Sequence, residues 1–153
     1  MGLRRKFGQY GDVLADSWVY EAWTGPATLD QIGSGLDRMW RSHPHVPESI
    51  RMQVGIAAAE IGANIVEHAG RHRPVRMRMR VRVGGDQVTI CFTDDGHPAD
   101  VDLRFVYQPG HMAERGRGLA MAKAVLDGLE YRRRSLNYWS LESRRFGSPI
   151  RAT

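Results

Sequence analysis

Glu60-Ile61-Gly62-Ala63-Asn64-Ile65-Val66-Glu67-His68-Ala69 sets a carboxylate, a carboxamide and an imidazole four residues apart within a run of apolar and small residues. At ~3.6 residues per helical turn, positions 60, 64 and 68 share one narrow stripe. Ile56, Ile61, Ile65 and Val66, with alanines at 57, 58, 59 and 63, make much of the remaining circumference apolar, so the helix reads as buried. Polar groups inside a core cost free energy unless something satisfies them. A hydrated cation carrying a ligand would satisfy Glu60 and Asn64, and so would a structural hydrogen-bond network.

The surrounding sequence supplies the rest of a small fold. Pro47 suits the first turn of this helix, which is expected over about Glu48 to Ala69 and is ended by Gly70. Upstream, residues 1–16 read as a loose basic arm. Ser17 to Trp23 is rich in strand formers and stops at Gly25-Pro26. Thr28-Leu-Asp-Gln31 has the pattern of a capping box, opening a helix with Leu29, Ile32, Leu36 and Met39 or Trp40 on one face. His43 to Pro47 breaks it.

Downstream, Arg76 to Val83 alternates strictly, with Met77, Met79, Val81 and Val83 on one face and four arginines on the other. Gly84-Gly85-Asp86 turns the chain into a partner strand, Gln87 to Thr93, with Val88, Ile90 and Phe92 inward. A polar loop is expected from about His97 to Arg115, with a short helix through Val101, Leu103, Phe105 and Val106. Gly116 to Gly118 opens a last helix, whose apolar face is Leu119, Ala122, Val125, Leu126 and Leu129. Glu130 to Arg134 and Asn137 to Arg144 read as closing strands. This order predicts an α+β two-layer sandwich, a mixed, mostly antiparallel sheet with helices on one face. One domain spans residues 17–146, followed by a tail at 147–153. The arginine face meets water on the uncovered side.

Composition narrows the function. The chain has 153 residues and a net charge of +5, carried by 20 Arg and 2 Lys. Such a balance is weak evidence for an acidic partner. The arginines lack an aromatic platform or recognition helix in the sequence, so no direct nucleic-acid contact is expected. No apolar run approaches the ~20 residues of a membrane span, and no signal-peptide core follows the first residues. The single Cys91 forms no internal disulfide and, from its apolar neighbours, reads as a packed thiol. A cytoplasmic protein is expected. No Gly-x-x-x-x-Gly-Lys-Ser/Thr occurs, and Gly33-Ser-Gly35 lies in a helix without the strand a Rossmann site needs. His68 and His72 are four apart, but Gly70 separates them and no third zinc ligand accompanies them.

Three segments point at one ligand. Glu60 and Asn64 offer oxygens suited to magnesium, which keeps several waters and takes few protein ligands. Asp94-Asp95-Gly96 follows a strand, where a carboxylate can accept a hydrogen bond from a base amine and glycine permits close approach. Gly116-Arg117-Gly118 sits at a helix start, where free amides favour a phosphate, with Arg115 and Arg117 adding charge.

In this order the segments resemble the ATP-binding superfamily of gyrase, heat-shock chaperones, histidine kinases and MutL, with its Bergerat-type fold. Glu60-x-x-x-Asn64-x-x-x-His68-Ala69 looks like the N box, Asp94-x-Gly96 like the first glycine box, and Glu114 to Leu119 like the second. Compact size, Asp94-Asp95-Gly96-x-Pro98-x-Asp100 and the closing Asn137-Tyr-Trp-Ser-Leu are similar to the anti-sigma-factor serine kinases. The resemblance implies that Asn64 holds magnesium and that Glu60 is the general base. Asp94 would bind the adenine amine beside Gly96, and Arg115 would approach the terminal phosphate. Gly116 and Gly118 would cradle the phosphates, with Arg117 and Leu119 in the same ATP-binding segment. His68 would support the helix end near the nucleotide. It further implies a homodimer that binds a sigma factor and phosphorylates a STAS-domain anti-anti-sigma protein. The alternative is a nucleotide-binding module that sequesters a partner without phosphate transfer. Pro98 departs from the family, standing where a second glycine is often found. Nothing resembles a phosphoacceptor histidine helix.

Overall fold

The computed structural model describes residues 16–103 and 114–147, the side chains of residues 114–116 excepted. Strand β1 (Ser17–Trp23) leads into helix α1 (Thr28–Ser42) and then helix α2 (Glu48–Asn64), which continues through a π-helical turn at Ile65–Ala69. Strands β2 (Arg76–Val83) and β3 (Val88–Asp94) form a hairpin. Helix α3 (Glu114–Val125) runs directly into β4 (Leu126–Arg133), and β5 (Asn137–Ser143) closes the described fold. The five strands lie in the order β1-β2-β3-β5-β4 and every pairing is antiparallel.

The two-residue period of the strands decides which side is covered. Met77, Met79, Val81 and Val83 from β2, and Val88, Ile90 and Phe92 from β3, are buried against Ile32, Leu36 and Met39 of α1 and Val54, Ala58 and Ile61 of α2. The intervening Arg76, Arg78, Arg80 and Arg82 are exposed. This is the expected α+β sandwich, with helices on one face. Arg78 Nε lies 3.2 Å from the Glu21 carboxylate on that open face, a solvent-screened pair of little net worth. Cys91 also lies there and is exposed. The packed thiol expected from its neighbours is incorrect, because strand parity turns Cys91 away from Ile90 and Phe92.

Several local expectations are corrected by tertiary contacts. Thr28 is the first residue of α1 rather than its cap: its hydroxyl accepts the Gly25 N–H at 2.8 Å, and Gln31 accepts the Tyr20 hydroxyl. Both side chains of the supposed capping box therefore serve the β1–α1 connection. Leu29, expected on the buried face, is 42% exposed. Leu126 and Leu129 belong to β4 and not to α3; the strand register shifts between Leu126 and Gly128. That bulge inserts one residue, so two leucines three apart both point inward and imitate a helical period. Helix α3 begins at Glu114, two residues before the expected Gly116. Val101 and Leu103 are not helical but pack against the core, and Lys123 Nζ donates to the Leu103 carbonyl at 2.6 Å. Phe105 and Val106 lie outside the described residues.

Two glycines of α1 give a direct test of the packing. A Cβ on Gly35 would run into the buried Trp18 indole, whereas one on Gly33 would meet open space. Gly35→Ala is expected to destabilise the protein by about 1–3 kcal/mol through overpacking. Gly33→Ala is expected to stabilise it by roughly 0.5–1 kcal/mol through helix propensity. Urea denaturation of the two variants beside the wild type measures both signs.

Candidate functional site

One edge of α2 gathers the polar residues that the sequence picked out. Glu60 and Asn64 are half-buried one turn apart. The Asn64 amide Nδ2 donates to the Glu60 backbone carbonyl at 3.0 Å, leaving the carboxamide oxygen without a partner among the described residues. The Glu60 carboxylate likewise has no hydrogen bond or ion pair among them. Its side chain lies against α3: a Cβ on Gly118 would collide with the Glu60 carboxyl group. Helices α2 and α3 pack on each other there, with the Glu60 carboxyl group filling the space beside Gly118.

The helix changes character immediately after Asn64. The chain continues as a π turn at Ile65–Ala69, in which His68 is half-buried. His68 Nε2 lies 3.6 Å from the neighbouring Glu67 carboxylate. The turn aims the Ala69 carbonyl at the loop after β3, where it accepts the His97 N–H at 2.7 Å. A Cβ on Gly96 would stand only 2.5 Å from that carbonyl oxygen and 2.6 Å from the Ala69 Cβ. A side chain at 96 would push the loop off the helix end. Gly118 and Gly96 thus press on α2 nine residues apart, at Glu60 and Ala69, a span of roughly 13 Å along a helix rising ~1.5 Å per residue.

At the Gly96 end lies the most unusual group in the fold. Asp94 continues the inward parity of Val88, Ile90 and Phe92 and is 2% exposed. Its Oδ1 accepts the Gly96 N–H at 2.9 Å and the Asn137 Nδ2–H at 2.8 Å. Its Oδ2 is buried with no hydrogen-bond partner. Burial pushes the Asp94 carboxyl above the usual carboxylate range, and the neighbouring Asp95 adds to the rise. The Asn137 and Gly96 hydrogen bonds and the Arg133 charge oppose it. Asp95 points the other way and accepts the Arg76 N–H at 2.8 Å, tying the start of β2. Trp18 Nε1 and Gln53 Oε1 are also buried and unpaired, but neither carries charge. When ionised, Asp94 thus keeps one buried acceptor oxygen with no hydrogen-bond donor.

The expected residues thus fall into two groups joined by α2: Glu60, Asn64 and Gly118 at one end, Asp94 and Gly96 at the other. Arg117 is exposed on α3. Leu119 is buried in the core and contributes packing. The side chains of Arg115 and Gly116 lie outside the described residues, although both belong to α3.

Asn137 is the site residue without an assigned role in the sequence reading. The available signal was its place at the head of a strand whose inward positions are Asn137, Trp139, Leu141 and Ser143. An asparagine with inward parity beside Asp94 in register is a partner waiting for a carboxylate.

A family profile described as histidine kinase-like ATPase domain matches residues 23–138. No curated protein sequence matches. Among solved structures, the chain is similar to the histidine kinase domain of a blue-light activated histidine kinase from Erythrobacter litoralis, with 20% identity and a TM-score of 0.48. That similarity covers 73% of this chain and 60% of the other.

The Asp94 environment has a measurable signature. Because its folded pKa is raised, the unfolded chain releases this proton first. The resulting penalty on folding is absent below the ordinary carboxylate pKa and complete above the folded pKa. Asp94→Asn removes the titration, so the stability difference between variant and wild type should move in the variant's favour as pH rises through that window, then level off. Urea unfolding from pH 3.5 to pH 8 reads this directly; a pH-independent difference would contradict it.

Proposed function

The chain belongs to the family of histidine kinase-like ATPase domains, and from that membership we propose that it binds ATP with magnesium and phosphorylates a serine or threonine of a protein. The bare, buried Oδ2 of Asp94 carries this reading. It accepts the amine of the base, while Gly96 lets the loop beside Asp94 close on the Ala69 backbone. The phosphates extend along α2 toward the start of α3, where helix-terminal amides and the positive end of the dipole favour anions. Arg115 and Arg117 stand on that helix and add positive charge at the terminal phosphate.

The free carboxamide oxygen of Asn64 supplies one hard ligand to a magnesium ion that keeps most of its waters. A metal held there by Asn64 would supply positive charge for phosphoryl transfer. Glu60, one turn back and facing α3, accepts the proton of the attacking hydroxyl. Its carboxylate is uncommitted, as a general base must be before its substrate arrives. His68 steadies the helix end and takes no part in proton transfer.

The partners proposed are a sigma factor and a STAS-domain anti-anti-sigma protein, the second being the phosphate acceptor. This cytoplasmic partner-switching role follows from the motifs shared with anti-sigma-factor kinases. The proposed homodimer joins through β1 and α1. Among the described residues strand β1 has a neighbour on one side only, and Trp23 at its end is 60% exposed, a fit for an interface anchor. Nucleic acid and membrane have no part in the proposal.

Incubation with γ-labelled ATP and purified candidate STAS proteins tests the transfer. Wild type should label one of them on serine or threonine. Glu60→Gln should lower transfer by about a hundredfold or more, the usual scale for loss of a general base, while ATP still binds. Equal transfer by Glu60→Gln would remove Glu60 from the chemistry. ATP binding with no label in a cognate partner would leave a sequestering module.

A further inference from the structure

We propose that Asn137 is a positioning residue that makes the site selective for an amine-bearing purine, by dictating which oxygen of Asp94 a ligand meets. The inference rests on the nucleotide reading above and goes beyond it, because it assigns the choice of base to a residue that touches no ligand.

Asn137 is 1% exposed and its carboxamide is fully committed. Nδ2 donates to Asp94 Oδ1 and to the His97 carbonyl, both at 2.8 Å, with the Gly96 carbonyl at 3.4 Å. Oδ1 accepts the Tyr131 hydroxyl at 2.5 Å and Arg133 Nη1 at 3.1 Å. A carboxamide has two N–H donors and two lone pairs, so turning it over would set acceptor against acceptor at Asp94 and His97 and donor against donor at Arg133. The same hub suspends the loop after β3. Tyr131 accepts the Ala99 N–H at 2.8 Å, and Arg133 Nη1 donates to the Gly96 carbonyl at 2.8 Å. Strand register brings the members together, pairing Asp94 with Asn137 and Asn137 with Arg133.

The consequence for Asp94 is directional. With two N–H donors on Oδ1, only Oδ2 has acceptor capacity left for a ligand, and an ionised carboxylate accepts without donating. Adenine presents an amine where guanine and hypoxanthine present a carbonyl oxygen. The bare Oδ2 attracts the first and repels the second. Without Asn137, the Asp94 carboxyl is free to turn or to take up a proton and donate, so a carbonyl-bearing base is no longer refused.

The dissociation constants of ATP and ITP, whose hypoxanthine base carries the carbonyl, are measured by calorimetry with magnesium. The proteins are the wild type, Asn137→Ala, Asn137→Ser and Tyr131→Phe, each checked by thermal unfolding. Wild type should prefer ATP by about tenfold or more, the worth of a hydrogen bond to a charged group. Asn137→Ala should bring the ratio close to one, with ITP bound no more weakly than before. Asn137→Ser, which keeps a donor, should retain part of the preference. Tyr131→Phe, which loses only a support of the carboxamide, should fold normally and lose a few-fold. An unchanged ATP/ITP ratio in both Asn137→Ala and Tyr131→Phe overturns the proposal, as does an equal loss of affinity for both nucleotides. If Asn137→Ala does not fold, the ratio in Tyr131→Phe decides alone. Wild type that binds neither nucleotide overturns the nucleotide reading, and this inference with it.

Discussion

The Asp94 carboxylate, folded into the interface between sheet and helices with one oxygen saturated and the other bare, is the constraint on which this end of the molecule depends. A buried polar group left unpaired costs about 1–3 kcal/mol, and more when charged. The fold offsets part of that cost with two N–H donors on Oδ1 and the nearby Arg133 charge, yet it leaves Oδ2 empty. Buried polar atoms are as a rule hydrogen-bonded, so the unpaired oxygen of Asp94 stands out in this interior.

Everything near Asp94 is arranged around α2. The helix begins as a regular core element and widens after Asn64 into a π turn, whose last carbonyl, at Ala69, captures the loop that follows Asp94. At its midpoint the Glu60 side chain meets Gly118 of α3. The two glycines mark contacts: Gly96 stands where the loop after β3 presses on the Ala69 backbone too closely for a Cβ, and Gly118 lies against the Glu60 carboxyl group. Three short motifs, far apart in the chain, thereby meet along α2. One lies on the helix, and the other two are the places where a strand end and a second helix close on it.

The sheet was legible because the period of two in β2 and β3 is unbroken from Met77 to Phe92, and the same parity makes Asp94, rather than Asp95, the inward aspartate. The long helix was legible from its apolar run. Its π turn was not, since a wider turn leaves no mark in the spacing of Asn64 and His68. Leu126 and Leu129 were drawn into α3 because a bulge in β4 spaces inward residues by three. Thr28 and Gln31 matched a local capping pattern and were claimed instead by Gly25 and Tyr20, partners that only the packed fold brings near. Asn137 needed the register of β3 against β5, which a single sequence does not state. Cys91 shows the opposite error, a residue judged by its neighbours in sequence when its parity already turned it to the open face.

The most direct measurement follows the Asp94 carboxyl itself, by carbon-13 NMR of protein labelled at aspartate carboxyls and assigned with Asp94→Asn. Free protein should show an Asp94 pKa above the ordinary carboxylate range. Saturating magnesium-ATP should lower it, because an amine hydrogen bond to the bare oxygen favours the charged form. An Asp94 resonance and pKa unchanged by saturating magnesium-ATP would contradict the account at its centre.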